Sequence, residues 1–193
     1  MTEMIPPIVV MGVSGSGKST IGDLLARRLE RAFIDGDSLH PQSNRDKMAA
    51  GHALDDADRA PWLEIIGLKL AETNHAGSPI VLACSALKRS YRDLIRAHEP
   101  STLFVHLSGG KSLIGERMSA RDHEFMPASL LASQLATLEE PGSDERVLTA
   151  DITQTPAQIV DALLAALPAP TALAAWPGHP SLTLDLIKDD NDN

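Results

Sequence analysis

The sequence has a single cysteine, no cluster of basic residues and no long apolar run, and each absence excludes a class of protein. One cysteine, Cys84, cannot build a disulfide framework within the chain, which fits a reducing compartment, so we expect a cytoplasmic protein. A net charge of −9, with lysine and arginine spread along the chain, argues against a surface that binds nucleic acid. No apolar segment approaches the ~20 residues of a membrane span, and the first residues lack the basic and apolar parts of a signal peptide.

Apolar runs alternate with helical patterns along the 193 residues, of which 43% are hydrophobic and 22% charged. This length and composition suit one globular domain with an apolar core. The predicted strands are 8–11, 32–37, 79–84, 103–107 and 146–151, and a helical pattern follows each of them. The alternation predicts an α/β fold, a three-layer sandwich with a five-stranded parallel sheet. Right-handed crossovers would place the carboxyl ends of the strands on one side.

Prolines and polar residues mark the predicted boundaries. Pro61 predicts that the helix at 55–75 has its first turn close by, because proline is best tolerated there. Ser85 is a candidate N-cap for the helix after the third strand. Prolines interrupt the chain after Leu167, so we predict a domain over 1–167 and a C-terminal extension over 168–193. The extension alternates apolar and polar residues near its end, and two interpretations stay open: a loose tail, or an edge strand added to its own domain or a neighbour.

A glycine-rich stretch after the first strand fits the phosphate-binding loop, G-x-x-x-x-G-K-[ST]. It consists of Gly12, Val13, Ser14, Gly15, Ser16, Gly17, Lys18 and Ser19, followed by Thr20. Its glycines let backbone N–H groups turn inward around an anion, and the start of the next helix adds its positive dipole end. Lys18 can then reach the β- and γ-phosphates, while the Ser19 hydroxyl can ligate Mg²⁺. The stretch predicts a nucleoside triphosphate site and the P-loop NTPase fold.

Two acids, Asp35 and Asp37, end the second predicted strand. Ligands of an open parallel sheet bind beyond the carboxyl ends of its strands, so both acids are expected to face the phosphate loop. Asp35, nearer the strand, is predicted to face the metal with Ser19. Asp37 is predicted to accept the hydrogen bond of an attacking hydroxyl, either orienting that hydroxyl or taking its proton. An ordinary turn is the alternative, since aspartate and glycine favour turns.

Phosphate loops serve switches, motors and small-molecule kinases. The Asp-x-x-Gly and Asn-Lys-x-Asp patterns of GTPase switches are missing, and no apolar strand ends in the Asp-Glu pair of a motor ATPase. Phosphoryl transfer to a bound alcohol instead needs positioning, cations near the transferred group and exclusion of water. Arg117 and Arg121, four residues apart beside a helix break, predict a mobile flap that brings charge to the phosphates. Two solvated surface arginines are the alternative.

Several motifs together resemble the gluconate kinase (gluconokinase) family over about residues 8–167. They are the phosphate loop, Asp35-Gly36-Asp37, Leu39-His40-Pro41, Asn44 with Lys47-Met48, Pro61-Trp62-Leu63, Cys84-Ser85-Ala86-Leu87-Lys88 with Tyr91-Arg92, Arg117 with Arg121, and Leu138-Glu139 with Pro141-Gly142. The resemblance implies the fold of shikimate and nucleoside-monophosphate kinases, with a helical substrate-binding insert at about 37–76 and a lid at about 117–141. It implies phosphorylation of D-gluconate to 6-phosphogluconate by ATP, usually in a homodimer. The extension after Leu167 is longer than this family leads us to expect.

A sugar acid also needs a cation for its carboxylate at the end remote from the phosphoryl group. Lys88 and Arg92, four residues apart after the third strand, are predicted to share a helix face on the substrate side, where Arg92 would bind the carboxylate bidentately. Hydroxyl-binding side chains are predicted from the insert, without a ranking among them: His40, Asn44, Arg45 and Lys47. Solvated surface cations are the alternative for Lys88 and Arg92.

Two classes of function stay open on the residues alone. The first is a small-molecule kinase acting on gluconate, with shikimate or another hydroxy acid as an alternative substrate. The second is a nucleotide-dependent binding or regulatory module that holds ATP without turnover. Asp37, Arg117 and Arg121 favour the kinase, because a binding module needs neither a placed carboxylate nor arginines directed at the phosphates.

Overall fold

A parallel β-sheet forms the centre of the protein. The computed structural model describes residues 5–119, 128–167 and 182–183. The strands are β1 (Ile8–Met11), β2 (Phe33–Asp35), β3 (Val81–Ala83), β4 (Leu103–Ser108), β5 (Val147–Asp151) and β6 (Leu182–Thr183). Their order in the sheet is β2-β3-β1-β4-β5-β6, and every neighbouring pair is parallel. The five predicted parallel strands are confirmed.

Helices cover both faces of this sheet. They are α1 (Lys18–Arg28), α2 (Gln42–Ala49), α3 (Asp56–His75), α4 (Arg89–His98), α5 (Lys111–Ser119), α6 (Ala128–Thr137) and α7 (Pro156–Ala166), with a 3₁₀ turn at Gly36–Leu39. One apolar core joins the sheet to residues of α1, α5 and α7, and a second joins the opposite face to α3 and α4. Burial on both faces explains why the central strands β1 and β3 are continuous apolar runs, and the helices on both faces confirm the three-layer architecture.

The extension contributes one short piece of sheet. Leu182 and Thr183 pair with Leu148 and Thr149 of β5, so two residues of the tail do form an edge strand on their own domain. The other residues of 168–193 lie outside the described part of the chain. Within that described part, no helix has both the length and the apolar character needed to cross a membrane.

Two predicted helix starts are wrong. Asp55 caps α3 through a capping box with Asp58, so the helix begins five residues before Pro61, which lies inside it. Ser85 caps no helix, because α4 begins only at Arg89 with an extended Lys88 as its N-cap. The intervening turn includes Ala86, which is buried and has a left-handed φ of 43°. That conformation interrupts helical geometry, so the helix cannot begin at Ser85.

Close packing at the carboxyl edge of the sheet fixes the positions of the two acids. Gly36 separates Asp35 from Asp37, and a Cβ atom at Gly36 would lie 2.4 Å from the Ala83 carbonyl oxygen. A side chain therefore does not fit there without moving β2 away from β3. The phosphate loop is tied to the same edge, because the Gly12 N–H donates to the Ser85 carbonyl over 3.3 Å.

Candidate active site

The phosphate loop has the conformation that its glycines allow. Gly15 and Gly17 have φ values of 79° and 98°, in the region that glycine adopts at little cost. A Cβ atom at Gly15 would lie 2.5 Å from Cγ of Met118, so α5 packs closely on the loop. Gly17 is the N-cap of α1 and leaves its first N–H groups without a side-chain cap or a nearby acid in the first turn. These N–H groups suit an anion.

Polar groups inside the loop also fit a phosphate chain. Lys18 Nζ donates to the Val13 carbonyl over 3.1 Å, which holds the ammonium group against the loop. The Ser16 hydroxyl is buried and has no hydrogen-bond partner among the described residues. A buried hydroxyl without a partner is costly, so a ligand that supplies one would stabilise the loop. Thr20 lies exposed in the first turn of α1.

The structure brings the two predicted metal ligands together. The Ser19 hydroxyl donates to Oδ2 of Asp35 over 3.0 Å, directly beside the loop. In the described ranges, no group of three or more histidine, cysteine or acidic residues could hold a metal by itself. A cation at this point would need further oxygens from phosphate and water. That donor set suits Mg²⁺, which usually keeps several waters and binds one or two protein oxygens plus phosphates.

Asp37 extends from the same edge into solvent, with its side chain 83% exposed. Its Oδ1 lies 4.0 Å from Nε2 of His40, and the ring of His40 stacks on Trp62 with 4.1 Å between centroids. Trp62 is buried and donates from Nε1 to the Gly36 carbonyl over 2.8 Å. Burial lowers the pKa of His40, although Asp37 opposes this, so the ring is neutral at pH 7. His40 therefore offers hydrogen-bonding nitrogens rather than a positive charge.

Residues of the insert are mostly engaged with each other. Asn44 is buried, donates to the Asp58 carbonyl over 2.8 Å and lies 3.3 Å from Nδ1 of His40. Lys47 forms a hydrogen-bonded ion pair with Asp58. These contacts hold α2 to the start of α3, so Asn44 and Lys47 have a structural task. Their contact with substrate stays a prediction. Arg45 is exposed and has no ion pair among the described residues.

Lys88 lies in a polar cluster between α3 and α4. Both carboxylate oxygens of Asp56 accept hydrogen bonds from Lys88 Nζ, over 2.9 and 2.7 Å, and Asp56 also accepts one from the Tyr91 hydroxyl. The bond to Asp56 raises the pKa of Lys88, so the ammonium stays charged. Arg59 completes the cluster, with Nη1 3.5 Å from the Tyr91 hydroxyl. Arg59 is not among the predicted site residues, although it lies two residues before the Pro61-Trp62-Leu63 motif.

The position of Arg92 contradicts the predicted role of this residue in binding substrate. Its side chain is fully buried, and it binds Glu145 bidentately, with Nε–Oε2 at 2.6 Å and Nη2–Oε1 at 2.7 Å. Its remaining nitrogen donates to the carbonyls of Ala86, Leu87 and Glu139. Because the side chain is fully buried and all three of its nitrogens donate to groups of the protein, the prediction that Arg92 binds the substrate carboxylate is wrong. Lys88 precedes α4, so it does not share a helix face with Arg92 despite the spacing of four residues.

The predicted flap is only partly described. Nη2 of Arg117 donates to the Ile152 carbonyl over 2.6 Å, so this arginine is held at the loop after β5. Arg121 lies outside the described residues, as does 120–127 of the predicted lid. A second missed residue, Gln134 of α6, contacts the phosphate loop at Ser14. No spacing in the sequence indicated it, because 120 residues separate the two positions.

Comparison with known proteins agrees with this geometry. A sequence model of the shikimate kinase family matches residues 14–167. The chain therefore belongs to that family, a class of phosphate-loop phosphotransferases, and the protein is a kinase that uses ATP.

Curated relatives identify the branch of this family. A gluconokinase from Gluconobacter oxydans (strain 621H) is 48% identical over 157 residues, which cover 81% of this chain and 88% of the relative. The thermoresistant gluconokinase of Escherichia coli (strain K12) is 44% identical over 147 residues, covering 76% and 84%. A crystal structure of a gluconokinase from Sinorhizobium meliloti 1021 matches with a TM-score of 0.76 and 47% identity, covering 89% of this chain and 94% of that one. The chain belongs to the gluconokinases.

Proposed function

We propose that the protein transfers the terminal phosphoryl group of ATP to a hydroxyl of D-gluconate, giving 6-phosphogluconate and ADP. The observation that carries this proposal is the 48% identity to a gluconokinase over 88% of that relative's length. The site supports it, because a phosphate loop, two oxygen ligands for a cation and an exposed carboxylate share one edge of the sheet. This is the set of groups that phosphoryl transfer to an alcohol requires.

The phosphate end of the site is assigned to the backbone of the phosphate loop and to five side chains. Backbone N–H groups of the loop and the ammonium of Lys18 would neutralise charge on the β- and γ-phosphates. Ser19 and Asp35 would hold Mg²⁺, which supplies charge neutralisation between the phosphates when bound. Arg117 and Arg121 are proposed to add positive charge from the lid at 117–141.

Asp37 is the proposed base for the acceptor hydroxyl. Its exposed carboxylate would accept the hydrogen bond of the C6 hydroxyl and take its proton as that oxygen attacks the terminal phosphorus. The bond between the phosphorus and the bridging oxygen breaks, and ADP leaves with the electron pair. His40, neutral and fixed on Trp62, lies within reach of hydroxyls bound beside Asp37.

The gluconate carboxylate is assigned to Arg59, together with Lys88, in place of Arg92. Among the described arginines, only Arg45 and Arg59 have neither an ion pair nor a hydrogen bond to a backbone carbonyl. Arg59 is half-buried beside Tyr91 and Lys88, whereas Arg45 is exposed on α2. A partly desolvated guanidinium gains more from a carboxylate than an exposed one, so Arg59 is the better candidate.

Three further features belong to the proposal. The insert at 37–76 is proposed to bind substrate, since Asp37, His40 and Arg59 all lie within it. The protein is proposed to be a cytoplasmic homodimer, as the family resemblance implies. Light scattering of the purified protein at micromolar concentration measures the dimer directly, and a mass of one chain would contradict it.

A coupled assay of ADP release with a panel of acids tests the function. We expect fast release with gluconate and Mg²⁺, and slow release with shikimate, with other sugar acids or without an acid. Product analysis should show one phosphate ester on gluconate. Release that no acid accelerates would instead support the nucleotide-dependent binding module, and faster release with shikimate would reassign the substrate.

A further inference from the structure

The side-chain amide of Gln134 holds Ser14 of the phosphate loop by two hydrogen bonds. Its Oε1 accepts from the backbone N–H of Ser14 over 2.6 Å, and its Nε2 donates to the Ser14 hydroxyl over 3.0 Å. Gln134 lies on α6, far from the loop in sequence and outside every motif of the nucleotide site. The contact is half-buried, which reduces competition from water.

The Ser14 N–H, which donates to Gln134, and the Val13 carbonyl, which accepts from Lys18, belong to the same peptide unit. The Val13 carbonyl accepts from Lys18 Nζ over 3.1 Å, and the Ser14 N–H lies at the other end of that peptide. A peptide unit is planar, so its N–H and C=O point in opposite directions and turn together. An acceptor fixed on α6 therefore fixes the direction of the carbonyl that orients the Lys18 ammonium. The Ser16 N–H also donates to the Val13 carbonyl, over 3.2 Å, so the direction of this N–H depends on the same peptide unit.

We propose that Gln134 is a positioning residue for Lys18, acting through the Val13–Ser14 peptide. It touches no reacting atom. Its effect on phosphoryl transfer rests on the proposed function, whereas its effect on the Lys18 ammonium does not. The inference adds to the nucleotide site a residue of the proposed lid at 117–141, so the position of α6 and the orientation of the catalytic ammonium depend on each other.

Gln134→Met is the sharpest variant, because it keeps the length of the side chain and removes both hydrogen bonds. We expect kcat for gluconate phosphorylation to fall about tenfold, with KM for gluconate changed by less than about threefold, since a positioning loss appears in the transition state more than in substrate binding. Gln134→Ala carries the same expectation should the methionine variant fold poorly. Ser133→Ala, at the neighbouring exposed position of α6, is the matched control and should keep the parent kcat and thermal midpoint.

Acetylation of Lys18 in the nucleotide-free protein, followed by mass spectrometry, supplies a readout that does not use activity. Loss of the anchor should speed acetylation of Lys18 severalfold relative to Lys69 in Gln134→Met. Gln134→Glu keeps an oxygen for the Ser14 N–H, so its Lys18 should react at about the parent rate even if the added charge weakens ATP binding.

The two measurements separate the proposals. Equal Lys18 acetylation in the parent and Gln134→Met, or a kcat within about twofold of the parent, would overturn the positioning role. A tenfold rise in KM for gluconate at unchanged kcat would also overturn it and make Gln134 a substrate-binding residue. If the parent fails to phosphorylate gluconate, the proposed function fails, while the acetylation experiment still decides whether Gln134 orients Lys18.

Discussion

At the scale of single residues, Asp37 carries the clearest expectation. Asp37→Asn keeps the shape of the side chain but removes its capacity to take a proton, so kcat should fall by about 10²–10⁴-fold while KM for ATP stays near the parent value. Steady-state kinetics with varied ATP and gluconate measures both. The exposed Asp46→Asn on α2 serves as the control for loss of a negative charge nearby. A fully active Asp37→Asn enzyme would assign the proton to another group.

Arg59 offers a second residue-scale prediction. Arg59→Lys keeps the charge but loses the planar fork, so KM for gluconate should rise about three- to tenfold with KM for ATP unchanged. Arg59→Ala should raise it further. Parallel measurement of Arg45→Ala decides between the two arginines without ion pairs. If only Arg45→Ala raises KM for gluconate, the carboxylate is bound from α2 and Arg59 supports Tyr91 instead.

A site residue can be predicted from the sequence when its position is fixed by nearby strands, and it cannot be predicted when its partner is distant in the chain. The proximity of Ser19 and Asp35 can be predicted because Ser19 follows β1 through the phosphate loop and Asp35 ends β2, and parallel strands bring those positions to one edge. The burial of Arg92 cannot be predicted from the sequence, because its partner, Glu145, is 53 residues away and nothing in the spacing around Arg92 indicates burial. The contact of Gln134 with Ser14 cannot be predicted for the same reason, since it joins residues 120 positions apart and forms only in the folded chain.

At the scale of elements, the helices on either side of 120–127 are expected to respond to ligands. Met118 of α5 and Gln134 of α6 both contact the phosphate loop, so ordering of the loop by nucleotide should also order these helices. Amide hydrogen exchange in α5 and α6 should slow when a non-hydrolysable ATP analogue and gluconate are bound together. The helix α7 is the internal control. Unchanged exchange in α5 and α6 would argue against the proposed lid.

Strands could be located from the sequence more reliably than helix starts. A strand buried on both faces needs an apolar run, and apolar residues indicate all five predicted strands, including the short, half-buried β2. Helix starts depend on side-chain caps and on local backbone conformation. The helix α3 begins before Pro61 because Asp55 and Asp58 form a capping box. The helix α4 begins only at Arg89 because Ala86 has a left-handed conformation. Neither feature changes the spacing of apolar residues, so hydrophobic periodicity does not predict these helix starts.

At the scale of the whole molecule, the buried pair of Arg92 and Glu145 connects α4 with the chain before β5 and should govern stability in acid. Burial opposes ionisation of Glu145, but hydrogen bonds from Arg92, Gly142 and Arg96 outweigh it and lower its pKa from 4.5 to about 2. A lowered pKa in the folded state means that this stabilisation is complete above pH 4.5 and is lost as the pH falls toward 2.

Chemical denaturation of the parent and Glu145→Gln between pH 7 and pH 2 measures this contribution. The variant leaves the Arg92 charge buried without its carboxylate, so it should be less stable at pH 7 by about 3–5 kcal/mol. The two unfolding free energies should converge as the pH falls. Asp161→Asn breaks an exposed pair with Arg28 and should change stability by less than about 1 kcal/mol. Parallel curves for the parent and Glu145→Gln would contradict the assignment.

Because Gly36 lies close to the Ala83 carbonyl, a substitution at Gly36 should have a distinctive phenotype in a genetic screen. Asp35 and Asp37 flank that glycine, and Oδ1 of Asp35 accepts the Asp37 N–H over 3.1 Å, so neither acid moves without the other. One added methyl group at Gly36 would displace both. A Gly36→Ala allele would therefore combine two defects, a raised magnesium requirement from Asp35 and the loss of the proposed base Asp37. Neither extra metal nor a more reactive acceptor would restore activity by itself.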